Sequence, residues 1–264
     1  MNFIEITDPG DWRISDYLDI RERDLVGRRG LFIAEGEVVI RALLKSRWPV
    51  KSLLIAKERA SKISRVGDTV ADTPIYLAEQ AVMDRIVGFS IHRGLLAVGE
   101  RDTGVSAASL LAGLPDRALV AAAVGIANHD NIGGIFRNAA AFGLDAVLLD
   151  ETSCDPLYRK ALRVSVGGVL ETPFARVTAA ELPDLLADAG FETVALTPTG
   201  EERLDSLRLN GRVALLLGAE GPGLAPALMA RARRVRIEMR PGFDSLNVAT
   251  AAAIAFHHLR AQGA

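Results

Sequence analysis

Ala118-Leu119-Val120-Ala121-Ala122-Ala123-Val124-Gly125-Ile126 is a near-continuous apolar run, the pattern of a strand buried on both faces inside a parallel sheet. It passes through Asn128-His129-Asp130 into a helical stretch, Asn131 to Gly143. There Ile132, Ile135, Phe136 and Ala139 fall on one face, and Gly143 suits the left-handed residue that closes a helix. A buried strand feeding an amphipathic helix is the repeating unit of an α/β fold. Further strands are predicted at Ala146–Leu149, Thr193–Leu196, Val213–Leu217 and Val235–Ile237, with helices between. The last helix, Ala249–Leu259, is apolar nearly all round and is expected to be buried.

The N-terminal part has the same rhythm on a smaller scale. Leu31–Ala34, Lys51–Ala56, Ile75–Leu77 and Leu95–Val98 read as strands, and Val38–Leu44 and Ala78–Val87 as helices. From Gly99 to Arg117 turn formers surround one short apolar piece, which reads as a linker. The sequence thus predicts two α/β domains, residues 1–98 and 118–264, joined by 99–117.

Composition narrows the class. The 264 residues are 49% hydrophobic and 24% charged, ordinary for a folded protein. No apolar run approaches the roughly 20 residues that span a bilayer, and Met1-Asn2-Phe3-Ile4-Glu5 does not read as a secretion signal, so a cytoplasmic protein without a membrane partner is expected. Cys154 is the single cysteine, which excludes an internal disulfide, and the four histidines form no metal set with carboxylates. Metal-free chemistry is the expectation. The net charge of −2 hides an asymmetry: between Ile20 and Arg65 there are 12 Lys or Arg against 5 Asp or Glu, so positive charge gathers near the N-terminus.

Three polar segments carry the chemistry. The first is Asn128-His129-Asp130-Asn131-Ile132-Gly133-Gly134-Ile135-Phe136-Arg137-Asn138. Arg137 lies one and a half turns into the helix, where its planar guanidinium can reach a phosphate; alternatively it is a solvated helix arginine, with Asn128, Asp130 or Asn131 serving only as caps. The second is Gly218-Ala219-Glu220-Gly221-Pro222-Gly223, whose glycines permit close approach of a ligand to the backbone. It has neither the dinucleotide spacing nor the Lys-Ser/Thr of a P-loop, which counts against a nucleotide-dependent oxidoreductase. The third is Asp244-Ser245-Leu246-Asn247-Val248: in an extended chain Ser245 and Asn247 face the same way, or else Ser245 merely caps the last helix.

Together and in this order, the three segments closely resemble the signature motifs of the SpoU (TrmH) family of RNA ribose methyltransferases, within the knotted SPOUT superfamily. The resemblance covers roughly Val120 to Leu259. It implies an α/β SPOUT domain with a parallel sheet and a deep trefoil knot, a homodimer packed through the first and third motif helices, and S-adenosylmethionine as cofactor. By resemblance the catalytic set is Asn131, Arg137, Glu220, Ser245 and Asn247, and the cofactor would be held by Thr197, Pro198, Gly218, Ala219, Gly221, Ile237, Met239 and Leu246. Arg163 and Ser165 match a family segment near the RNA. Where relatives often read Ile-Pro-Met this chain has Ile237-Glu238-Met239, and Val248-Ala249-Thr250 replaces a common Asn-Val-Ser continuation. Phe32-Ile33-Ala34-Glu35-Gly36 and His92-Arg93-Gly94 are similar to the family's accessory RNA-binding domain, which favours ribosomal over transfer RNA as partner. A catalytically silent RNA-binding protein is the rival, although it would be expected to have lost some of the motif residues. Arg231, Arg233, Arg234 and Arg236 read as a solvated or RNA-facing edge.

Overall fold

The computed structural model describes residues 3–18, 26–27, 29–60, 73–87, 94–102 and 104–262. The chain divides into two compact units, 1–103 with 157–171, and 104–156 with 172–264.

The first unit is built on a five-stranded mixed sheet of β1 (Phe3–Ile6), β2 (Leu31–Glu35), β3 (Val50–Ala56), β4 (Ile75–Ala78) and β5 (Leu95–Glu100), in the order β1-β4-β3-β5-β2. β3 pairs in parallel with β4 and antiparallel with β5. Helix α1 (Glu37–Lys45) buries Val39, Ile40, Leu43 and Leu44, an i, i+1, i+4, i+5 stripe. Helix α2 (Gln80–Val87) follows β4. Tyr17 anchors a short 3-10 turn through a 2.8 Å hydrogen bond to Ser52 on β3. Residues 20–25, 28 and 61–65 of the basic stretch between Ile20 and Arg65, and His92-Arg93, lie outside the described residues. Within the rest of it Arg29 and Lys51 pair with Asp16, Arg41 with Glu37, and Lys57 with Glu5 and Glu79.

Residues 157–171, which follow the strand Ala146–Leu149 in sequence, belong to this unit. They form α5 (Arg159–Val164) and α6 (Gly168–Glu171). Within the first unit Arg163 and Arg159 lie 3.4 and 3.8 Å from the buried carboxylate of Glu35 on β2.

The second unit opens with α3 (Ala107–Ala112), inside the stretch that reads as a linker. Ser106 caps it, its Oγ accepting from the Ser109 amide at 3.1 Å, and Ala107 and Leu111 are buried in the core. Arg212 fixes the following turn by donating to the carbonyls of Leu114 and Pro115, at 2.5 and 3.1 Å. The stretch is therefore structured because its one apolar piece finds a core to enter.

The sheet of this unit has seven parallel strands: β6 (Ala118–Val124), β7 (Ala146–Leu149), β8 (Phe174–Arg176), β9 (Glu192–Leu196), β10 (Glu202–Arg203), β11 (Arg212–Gly218) and β12 (Arg233–Arg236). Their order is β10-β12-β9-β11-β6-β7-β8. Strand β6 sits between β11 and β7, and its residues from Ala118 to Ala123 are buried, as an apolar run on both faces requires. Helix α4 (His129–Phe142) follows it, capped by Asn128 and ended by Gly143 at φ 65°. Phe136 is fully buried, edge-on to Phe174 at 5.6 Å. The remaining helices are α7 (Leu182–Asp188), α8 (Pro226–Met229) and α9 (Val248–Ala261).

Helix α9 is not buried all round. Ala252, Ala255, Phe256 and Leu259 are buried, whereas Ile254 is 41% exposed and His257 lies open, because the chain covers only one face of the helix. No helix of the described residues is long and apolar enough to cross a membrane.

Candidate active site

In a parallel sheet the carboxyl ends of all strands share one edge, and there ligands bind. At that edge of the second unit three segments distant in sequence converge: Leu196-Thr197-Pro198 at the end of β9, the glycine turn that starts at the last residue of β11, and residues between Ile237 and Ala251 after β12. They enclose a cavity of about 640 Å³, the size that holds a nucleotide-sized ligand.

All eight residues expected to hold a cofactor, Thr197, Pro198, Gly218, Ala219, Gly221, Ile237, Met239 and Leu246, line this cavity, as do Glu220, Ser245 and Asn247. Leu196, Leu217 and Leu224, outside the three motifs, supply further apolar wall, as does Val248 at the end of the third. The signal of Leu196 and Leu217 was weak, since a leucine at the end of an apolar strand looks like core. Glu238, in place of the family's proline, is exposed and lies 3.4 Å from Arg236, while Ile237 and Met239 on either side of it reach the cavity.

The glycine turn closes on itself. The Gly223 amide donates to the Ala219 carbonyl at 3.0 Å, and Gly221 and Gly223 take φ of 86° and 69°. A Cβ on Gly218 would stand 2.6 Å from the Gly223 carbonyl carbon and the Leu224 nitrogen. Gly218 is thus required by the turn's own backbone, whereas the sequence suggested close approach of a ligand. Around Gly221 no atom lies within 4 Å of an added Cβ, so there the backbone is open.

Asn247 ties the three motifs together. It is the N-cap of α9: its Oδ1 accepts from the amides of Ala249 and Thr250 at 3.0 and 3.3 Å. Its Nδ2 donates to Asn131 Oδ1 at 2.8 Å and to Glu220 Oε1 at 3.1 Å. Asn247, and not Ser245, therefore caps the last helix, which leaves the Ser245 hydroxyl on the cavity lining. Asn131 is buried and does not line the cavity; Asn128 is the cap of α4 and accepts from the Asp130 amide at 2.8 Å. Helices α4 and α9 meet closely at Gly134, where a Cβ would come within 2.7 Å of Ala249 Cβ. Asn138 adds a 2.8 Å bond to the Ala249 carbonyl.

Arg137 is exposed, lies outside the cavity lining and has no hydrogen-bond or ionic partner among the described residues. The arginines near β12 behave otherwise. Arg231 pairs with Asp184, Arg233 with Glu192 and Glu202, Arg234 with Glu201, and Arg236 with Glu238 and the Gly200 and Glu201 carbonyls. This edge is neutralised by its own carboxylates and is not a free basic surface.

A network that the motifs did not show holds the loop before α4. Asp150, just past β7, accepts from the Gly125 amide at 3.0 Å, the Ser153 amide at 2.8 Å, and the Ser153 and Thr152 hydroxyls at 2.5 Å each. Burial pushes its pKa up, yet the hydrogen bonds from Ser153, Thr152 and Gly125 together outweigh burial and leave it lowered. Asp followed by Thr and Ser at a strand end is the signal that could have marked this turn. Cys154, beside it, has its thiol pushed up to about 11, chiefly by burial. In the first unit, Ser165 is buried with its hydroxyl on the Leu162 carbonyl at 3.0 Å, and Val166 takes φ 56°. The described residues contain no cluster of His, Cys, Asp or Glu able to hold a metal ion.

The parallel sheet, the strand-edge cavity and the three motif segments meeting at Asn247 place the second unit among α/β proteins that bind a ligand at the carboxyl ends of their strands. Residues 118–257 match the SpoU rRNA methylase family, and the chain belongs to that family. It is 41% identical over 274 residues, covering 98% of this chain and 92% of the relative, to a Mycobacterium bovis protein named an uncharacterized tRNA/rRNA methyltransferase. Among solved structures, it is similar to an AdoMet-bound rRNA methyltransferase from Sinorhizobium meliloti, at a TM-score of 0.81, 23% identity and 98% coverage of both chains. It is also similar to an RNA 2′-O ribose methyltransferase, at 0.82 and 25%, covering 98% of this chain and 99% of that one.

Proposed function

We propose that this RNA methyltransferase binds S-adenosylmethionine in the strand-edge cavity and transfers its methyl group to a ribose 2′-hydroxyl of structured RNA, ribosomal RNA in preference to transfer RNA. The observation that carries the reading is Asn247, which joins Asn131, Glu220 and the start of α9 at the wall of that cavity.

The cavity suits the cofactor. Leu196, Leu217, Ile237 and Leu246 offer apolar walls for a purine ring, and the open backbone at Gly221 allows close approach of a polar edge. When bound, S-adenosylmethionine supplies an electrophilic methyl group on a sulfonium sulfur. The protein's residues position the acceptor oxygen in line with that carbon, which is the main source of rate in such a transfer. Ser245 and Glu220 present polar atoms to the cavity, and Asn247 fixes Glu220 in place. Arg137 holds an RNA phosphate and stabilises the negative charge that develops on the 2′-oxygen. Its guanidinium stays protonated throughout, so another group or a water molecule takes the proton.

Since Arg137 stands outside the lining of its own chain's cavity, it acts within a homodimer packed through α4 and α9, whose uncovered Ile254 supports such a contact. The deep knot and the division of labour, with residues 1–98 recognising RNA and 118–264 catalysing, belong to the same proposal. The cytoplasm is the compartment consistent with this substrate.

The test is methyl transfer from labelled S-adenosylmethionine to ribosomal and transfer RNA from a strain lacking the protein, with sites mapped by resistance to alkali. Alkali-resistant label in ribosomal RNA is expected. Label on a base, or none in either RNA, would overturn the reading.

A further inference from the structure

The turn between Met239 and Asp244 has two features that the methyl-transfer chemistry leaves unused. Phe243 is 68% exposed, and it is the one aromatic among the exposed large hydrophobic residues described in the second unit. It is carried on a tight turn. The Phe243 amide donates to the Arg240 carbonyl at 3.2 Å, Pro241 fixes the first central position, and Gly242 takes φ 84° at the second, the signature of a type II turn. Met239 before the turn and Asp244 and Ser245 after it all line the cavity, so the turn that carries the ring borders the cavity.

The second feature is Arg240. The second unit contains twelve arginines and no lysine. Nine of them donate to carboxylates or carbonyls, as Arg212, Arg233 and Arg260 do. Arg117, Arg137 and Arg240 have no such partner among the described residues. Arg117 immediately precedes β6, at the amino ends of the strands and away from the cavity edge. Arg240 is exposed at the cavity edge, three residues from the exposed ring. An unpaired cation and an exposed aromatic on one turn that borders a site are the groups that bind single-stranded nucleic acid: rings stack on bases and guanidinium holds phosphate.

We propose that Arg240 and Phe243 form a clamp for the substrate RNA, in which Phe243 stacks on an unpaired base next to the methylated nucleotide and Arg240 holds a phosphate of the same strand. This rests on the reading of the chain as an RNA methyltransferase and adds to it the class of substrate: an unpaired, stackable nucleotide at the target, not the interior of a duplex. A stacking ring is indifferent to salt whereas a phosphate contact is not, so the two residues have separable signatures.

The test uses the full-length protein, a labelled single-stranded oligouridylate as binding probe across a salt series, and total ribosomal RNA as methyl acceptor. Phe243→Ala is expected to weaken oligouridylate binding between about 5- and 150-fold with an unchanged salt slope, and to raise KM for ribosomal RNA more than it lowers kcat. Phe243→Trp should restore binding. Arg240→Gln should reduce the salt slope by about 1. Affinity for S-adenosylmethionine and the oligomeric state should match the unaltered protein in all three. If Phe243→Ala binds the probe normally, the clamp is refuted. It is equally refuted if that variant loses cofactor affinity or dissociates a dimer, since the ring would then be pocket wall or subunit contact. An unaltered protein that methylates no RNA would overturn the underlying reading, and the clamp with it, a result distinguishable because it needs no variant.

Discussion

Replacing Asn247 by Ala removes, with one side chain, both the cap of α9 and the link between the motifs. The cap consists of two bonds to the amides of Ala249 and Thr250, and its loss costs about 1 kcal/mol. Removing Nδ2 also leaves the buried Asn131 Oδ1 without its 2.8 Å donor, which costs about 1 kcal/mol more. The bond to Glu220 is solvent-exposed and adds little. The expected destabilisation is about 2 kcal/mol, or roughly 4–8 °C in Tm for a domain of this size. Asn247→Asp separates the contributions. Its carboxylate still caps the helix and interacts favourably with the helix N-terminus, recovering about 1 kcal/mol, but it has no amide to donate and it repels Glu220. Urea titration measures the total, and hydrogen exchange at the Ala249 and Thr250 amides reads the cap alone. Both amides should exchange faster in the Ala variant and not in the Asp variant, while methyl transfer falls in both. Equal stability of the two variants, or a loss under about 0.5 kcal/mol in Asn247→Ala, would refute the reasoning.

Three further outcomes are expected. Gly218→Ala should destabilise the protein and abolish S-adenosylmethionine binding because its Cβ meets backbone at 2.6 Å, whereas Gly221→Ala, strained at φ 86° but unobstructed, should cost only about 1 kcal/mol; equal unfolding midpoints for the two would contradict this. Arg137→Ala should abolish methyl transfer with the S-adenosylmethionine dissociation constant unchanged, and near-normal turnover in that variant would remove Arg137 from the site. Asp150→Asn should make stability less sensitive to acid: a carboxyl whose folded-state pKa is lowered stabilises the fold above its ordinary value of 3.8, and that contribution is lost as pH falls through the folded-state value. Denaturation midpoints measured across that acid range should therefore fall more steeply in the unaltered protein than in the variant.

Much of the second unit was legible because its signals are local. The apolar run Ala118–Ile126 predicts the strand that became β6, Ala146–Leu149 coincides with β7, and Gly143 takes the left-handed φ expected of it. Short edge strands escaped. β1, with a single buried residue, and the two-residue β10 have too little pattern to separate from loop. The helix Ala107–Ala112 was masked by turn formers on both sides, since only the core that receives Leu111 shows that the segment is ordered.

The motifs in the sequence named many of the residues that line the cavity, because order and residue type survive in a one-dimensional string, but they missed Leu196, Leu217 and Leu224 and also named Asn131 and Arg137, which lie outside the lining. Their division of labour is a property of contacts between residues far apart in the chain. Only the tertiary structure shows that Asn247 caps α9 while bonding across to Asn131 and Glu220, that Gly218 is forced by its own turn, and that the arginines near β12 are already paired. It likewise decides that Leu157–Glu171 joins the first unit and that one face of α9 stays uncovered. Hydrophobic period and turn chemistry act over a few residues and can be read directly, whereas a hydrogen bond spanning 116 positions exists only once the chain has closed on itself.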